Sequence, residues 1–225
     1  MSSIKSWPDS ERPRERLLEQ GPSQLSTSEL LAILIRTGTH GKSAVSLARD
    51  LIKKFDGLRG LFSAGHEDIS SVKGLGPAKA AQLLASMELG KRYLEENIKD
   101  KSYVHKPQAV YDLLMHEMRD LDKEILKVIY LDQGGAVLDI ETLFEGTIDQ
   151  SKIYPRELVK KVLAKKANAI IMVHNHPSGQ IEPSTADLAM TKEMKKILET
   201  IDVHLIDHII IGDNCYLSMK NKAIL

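Results

Sequence analysis

Five apolar residues in a row, Ala169-Ile170-Ile171-Met172-Val173, run straight into His174-Asn175-His176-Pro177, and this junction constrains the fold more than any other stretch. A short run without a polar residue reads as a buried strand. Residues two apart on a strand project from one face, so His174 and His176 are delivered toward a common point before Pro177 and Gly179 turn the chain. Ser184-Thr185-Ala186-Asp187 then opens a helical stretch and returns a carboxylate. Two imidazoles and a carboxylate form a three-ligand set, and a zinc site with three protein ligands keeps a fourth position for water, as catalytic sites do. Each half also has an ordinary reading. A His at a strand end is often a satisfied polar residue, and Ser184-x-x-Asp187 is a capping box that needs no metal. The two readings of the Ser/Asp pair are compatible, because a helix N-terminus can orient both side chains toward an ion.

Periodicity changes near residue 100. Before it, helix-period segments alternate with Gly-rich turns; after it, the β-branched runs Ile125 to Leu131, Ala169 to Val173 and Val203 to Ile211 alternate with helical stretches. The expectation is an extended arm over 1–24 with at most one short helix, an all-α domain over 25–100 and an α/β domain over 103–225. Asn97 to Ser102 supplies the connection, and Pro107 marks entry to the second domain. At 225 residues, 42% of them apolar, the chain is ordinary for a globular protein. Its apolar runs are far too short to span a membrane, and the N-terminus lacks a signal-peptide core, so a cytoplasmic protein is expected. Cys215 is the only cysteine, which excludes an intramolecular disulfide and a cysteine zinc knuckle and reads as a structural thiol.

In the first domain, Ser26-Thr27-Ser28-Glu29 is a capping box opening one helix, and a second helix runs from Ser43 to Phe55 before Gly57. Gly41-Lys42-Ser43 imitates the end of a phosphate-binding loop, but Arg36 stands where that motif needs Gly and a helix precedes it. Gly74-Leu75-Gly76 fails as a dinucleotide fingerprint, because Lys79 occupies the last Gly position. The stretch Ile69 to Ala80 instead resembles a helix-hairpin-helix module. In that reading Lys73, Gly74, Gly76 and Lys79 present amides and positive charge to a nucleic-acid phosphate, with little sequence preference. An ordinary helix connection uses the same glycines. Charge gives no support: residues 1–100 hold 15 basic and 13 acidic side chains and the remainder 16 and 18, so any DNA binding is expected to be weak and salt-sensitive.

His-x-His-Pro followed by Ser-x-x-Asp resembles the JAMM motif of MPN-type zinc hydrolases. The stretches Arg12 to Leu17, Tyr154-Pro155-Arg156-Glu157, His174 to Gly179 and Leu205 to His208 extend the resemblance to the bacterial RadC family over nearly the whole chain. It implies a small all-α helix-hairpin-helix domain followed by an α/β domain of MPN (JAMM, cytidine-deaminase-like) type. It also implies one zinc per chain on His174, His176 and Asp187, with Ser184 stabilising an oxyanion and an upstream Glu acting on the zinc-bound water. Asn175 stands where eukaryotic relatives usually carry Ser or Thr.

That Glu is either Glu141 or Glu145, which share a face of a regular strand four residues apart, with Asp139 as a third choice. Glu141 is favoured because Glu145 abuts Gly146 at the strand's end, and similar RadC sequences carry a Glu at the position five before this Gly. A solvated acidic edge strand would look the same. Lys160, Lys161, Lys165 and Lys166 read as a solvated helix face, and His204 and His208 as packed residues with a second reading as rival or supporting ligands. The function implied is a zinc-dependent peptidase or isopeptidase acting on an unidentified peptide or protein. The alternative is a DNA-binding accessory protein of DNA repair whose metal is structural or used differently. Two His and a carboxylate also suit an iron oxygenase, but the order of the ligands fits the zinc family better.

Overall fold

The structure is a computed structural model describing residue 4 and residues 7–96, 107–146 and 155–225. It divides into two compact units, Met1–Gly90 and Lys91–Leu225. The expected connection, Asn97 to Ser102, lies outside the described residues, as does Tyr154.

Unit 1 is helical: α1 (Pro13–Gln20), α2 (Thr27–Ile35), α3 (Ala44–Lys54), α4 (Leu58–Ser63), α5 (His66–Ser70) and the start of α6 (Gly76–Glu96). Ser26 caps α2 with the reciprocal Glu29 bonds of a capping box, and Ser43 caps α3. Leu31 and Ile35 of α2 meet Leu47 and Leu51 of α3, with Leu61, Ile69 and Leu83 closing the core. The described part of the expected extended arm is instead folded. Short 3-10 turns at Asp9–Glu11 and Pro22–Gln24 flank α1, Trp7 packs on the core, and Arg16 pairs with Glu29 while donating to the Gln24 carbonyl at 3.0 Å. Charge and proline made this segment look extended, yet Pro13 sits at the first helical position, where its missing N–H and fixed φ are no handicap.

The glycine turn between α5 and α6 is held from inside. Gly74 has φ +98°, and a Cβ there would lie 1.8 Å from Thr39 Cγ2. Lys79 Nζ donates to the carbonyls of Thr37, at 2.6 Å, and Gly74, at 2.8 Å, tying the 37–43 loop to the turn. Gly74→Ala is therefore expected to destabilise this unit by about 2–4 kcal/mol, combining backbone strain and overpacking. Gly76→Ala, with φ +45° and nothing within 4 Å of the new Cβ, should lose only about 1 kcal/mol. Urea unfolding followed by the fluorescence of Trp7, the single tryptophan, reads both. A wild-type midpoint for Gly74→Ala would refute the packing argument.

Unit 2 begins at Lys91, in the last turns of α6; after them come α7 (Pro107–Met118), β1 (Ile125–Leu131), β2 (Val137–Glu145), α8 (Pro155–Ala164), β3 (Ala169–Asn175), α9 (Thr185–Glu199), β4 (His204–Ile211) and β5 (Tyr216–Ser218). The strands form one sheet in the order β2-β1-β3-β4-β5, with β3 and β4 parallel and the other pairs antiparallel. All seven residues of central β3 are buried, as its apolar run requires. One sheet face, carrying Ile129, Ile171, Val173 and Ile209, packs on Val110, Leu114 and Met118 of α7. The opposite face, carrying Leu126, Val128 and Met172, packs on Leu158 and Val162 of α8 and on Met190 and Met194 of α9. Cys215, read as a structural thiol, is exposed in the turn before β5. Among the described residues no helix is long and apolar enough to cross a membrane.

Candidate metal centre

His174 lies opposite Leu126 of β1, so it faces the α8 and α9 side of the sheet. His176, one residue past the end of β3, still donates its backbone N–H to the Ile211 carbonyl at 2.9 Å, which holds it beside the end of β4. The following turn packs backbone to backbone: Gly179 has φ +79°, its carbonyl accepts from Asp213 N at 3.0 Å, and a Cβ on Gly212 would stand 2.4 Å from that carbonyl. Asp187 enters from the first turn of α9, where Ser184 and Asp187 form the capping box expected of them. Ser184 donates from N at 2.7 Å and from Oγ at 2.6 Å to Asp187 Oδ2.

The three predicted ligands converge. His174 Nε2 and His176 Nε2 are 2.9 Å apart, and the Asp187 carboxylate oxygens lie 3.3 Å from the first and 3.4 Å from the second. Ligand atoms around a tetrahedral zinc ion are about 3.3 Å from one another, so the spacing suits such an ion. Burial alone would raise the Asp187 carboxyl, but the two imidazoles, which in their protonated forms donate to it from Nε2, the positive charge His174 then carries and the Ser184 hydroxyl hold it far below the usual carboxylate range. His176 is shifted upward, chiefly by Asp187.

A second layer stands behind the first. His174 Nδ1 is 2.8 Å from His208 Nε2, and His208 Nδ1 is 2.5 Å from Thr191 Oγ1. His208 is fully buried, which pushes its pKa well down and keeps it neutral. It supports a predicted ligand and is more than a packed residue, whereas His204 at the far end of β4 is exposed.

Glu141 is not at this centre, which corrects the expectation. It pairs through Val128 with Met172, placing it two strands across and two residues back from His174, about 12 Å away by strand spacing and rise. Its Oε1 accepts from Lys161 at 2.7 Å and its Oε2 lies 3.5 Å from Lys165. Lys161, the first cause, and Lys165 lower its pKa, which makes it a poor proton acceptor. The lysines read as a solvated face are thus partly spent on this acidic strand, with Lys165 also pairing with Asp139. Nor do Glu141 and Glu145 share a face. A register shift opposite Leu126 and Lys127 leaves Leu143 as an extra residue, so Glu145 lies beside Ile125 on the α7 side, 3.7 Å from Lys123.

The carboxylate outside the ligand set whose charge is felt at the centre is Glu124, which the sequence did not single out. It comes two residues before Leu126, and its charge contributes to the raised pKa of His176. Asn175 brackets it, accepting from Ile125 N at 2.7 Å and donating to the Lys123 carbonyl at 3.0 Å, while Gly146 N donates to the Glu124 carbonyl at 2.8 Å. Its sequence signal was only an acidic residue just ahead of a strand. In unit 1, Lys73 and Gly76 are exposed, whereas Lys79 and Gly74 are occupied by the internal contacts described above.

Comparison with known proteins agrees with this architecture. Residues 104–224 match the RadC-like JAB domain, and residues 4–81 match the UPF0758 N-terminal domain. A UPF0758 protein of Pseudomonas fluorescens is 51% identical over 96% of this chain and 97% of its own length. One from Stutzerimonas stutzeri is 50% identical over 96% and 97%, and one from Shewanella loihica 46% identical over 98% of each. With both units matched and similarity running from end to end, the chain belongs to the RadC-like JAB domain family and carries the UPF0758 N-terminal domain ahead of that domain.

Proposed function

We propose that the chain is a zinc-dependent hydrolase of peptide or isopeptide bonds, with the metal held by His174, His176 and Asp187. The observation that carries this reading is their convergence, with donor atoms all within 4.8 Å of one another. Zinc in a set of three protein ligands supplies Lewis acidity toward water and toward a carbonyl oxygen. Glu124 accepts the proton of the attacking water and passes it to the leaving amine. Its place two residues before the register partner of His174, together with the pull of its charge on His176, supports that assignment. Asn175 orients Glu124 through the peptide groups on either side of it. Ser184 orients Asp187 in the resting arrangement, and rotation of its hydroxyl toward the substrate oxygen gives that oxygen a hydrogen-bond donor. The DNA-accessory reading has less behind it, because Lys79 is already bonded to protein carbonyls.

Protein purified without chelator is expected to hold close to one zinc per chain by elemental analysis, and to cleave members of an unbiased peptide library in a chelator-sensitive way. Protein free of any first-row metal that also fails to take up added zinc would end the metal reading. Zinc-loaded protein that cleaves no peptide or isopeptide would leave the metal and remove the peptidase.

A further inference from the structure

We propose that Thr191 and His208 act together as positioning residues that fix the tautomer of His174, presenting its bare Nε2 to the metal. This rests on the metal reading of the site, but the chain of hydrogen bonds can be followed without an ion.

Thr191 Oγ1 lies 2.6 Å from the Asp187 backbone carbonyl. A carbonyl only accepts, and two oxygens that close repel unless a hydrogen lies between them, so the single hydroxyl proton is committed there. The thioether of Met219, at 3.6 Å, is too weak an acceptor to compete. Toward His208 Nδ1, 2.5 Å away, Thr191 can then only accept, which places the one ring proton of neutral His208 on Nδ1. His208 Nε2 is left with a lone pair and accepts from His174 Nδ1 at 2.8 Å. The proton of neutral His174 is thereby fixed on Nδ1, and its Nε2 is bare.

His176 reaches the same state by another route, since its Nδ1 lies 2.8 Å from the Gln180 carbonyl and must donate to it. Two bare nitrogens 2.9 Å apart repel unless a cation accompanies them, so the relay itself prepares a cation site. One buried hydroxyl, on α9 and four residues beyond Asp187, decides the ligand state of a residue on β3.

The test uses Thr191→Val, which keeps the shape and deletes the acceptor, and Thr191→Ser, which restores it. Zinc affinity measured by competition with a chelator is expected to fall about 10- to 100-fold in Thr191→Val and to recover in Thr191→Ser, as is typical for loss of an outer-layer partner. Ring-nitrogen NMR of the metal-free wild-type protein, at a pH where His174 is neutral, is expected to show His174 protonated on Nδ1 alone, and metal-free Thr191→Val to show a mixture of tautomers. Wild-type His174 carrying its proton on Nε2 would overturn the proposal even if Thr191→Val failed to fold. Equal zinc affinity in folded Thr191→Val and wild type would also overturn it. Wild-type protein that binds no zinc, yet shows the expected tautomer and its loss in Thr191→Val, would sink the metal reading and leave the positioning role standing.

Discussion

Asp187→Asn is expected to fold normally and to lose zinc, and with it the whole of the stabilisation that zinc confers. Asp187 does two jobs that Asn separates. As the third helical residue of α9 it accepts from Ser184 N, and an amide oxygen does that equally well. As a ligand it supplies a charged oxygen between two imidazoles, and a neutral amide replaces that poorly. Wild-type protein at a free zinc concentration about 1,000 times its Kd gains about 4 kcal/mol over chelator-treated protein. Asp187→Asn should melt at one temperature with zinc and with chelator. A variant that still gained several degrees from zinc would show that the carboxylate is not a ligand.

The same comparison carries a pH signature. In chelator-treated protein the raised His176 pKa, which owes most to Asp187, contributes stability that is complete below the ordinary histidine value of about 6.5 and is lost as pH rises through the raised one. Zinc needs both imidazoles neutral and so competes with that proton. The gap between zinc-loaded and metal-free melting temperatures should therefore widen from about pH 5.5 to about pH 8.

What could be seen in the sequence was local. The run through Val173, the paired histidines and the Ser184 to Asp187 box each state their geometry within a few residues, and each folds as read. What could not be seen depended on a partner. The extra residue Leu143 changes nothing in the periodicity of β2, yet it turns Glu145 to the other face, and only the pairing with β1 reveals it. Lys161 and Lys165 look like solvent-facing residues of α8 until the edge strand β2 is set opposite them. His208 sits in a strand apolar enough to be read as core, and its role appears only because β4 runs parallel to β3 with Met172 as its partner. Glu124 was hidden for the same reason: nothing before the sheet is assembled says that the start of β1 lies beside the end of β3.

Glu124→Gln should leave zinc bound and reduce hydrolysis by a factor of about 100 to 10,000, the usual result of losing a general base. Gln nearly preserves the volume and can accept a hydrogen bond, but it cannot take up a proton at neutral pH. Asn175 and Gly146 hold the backbone around it, so the strand end should keep its place in the variant. Glu141→Gln is the matched control. It removes one salt bridge to Lys161 and another to Lys165 on a partly exposed face, worth at most about 1 kcal/mol each, and should leave turnover within about twofold of wild type. Zinc content and turnover of a substrate from the peptide screen, measured for both variants, decide between them. Loss of zinc from Glu124→Gln would make that residue a ligand, and a dead Glu141→Gln beside an active Glu124→Gln would return the proton to β2.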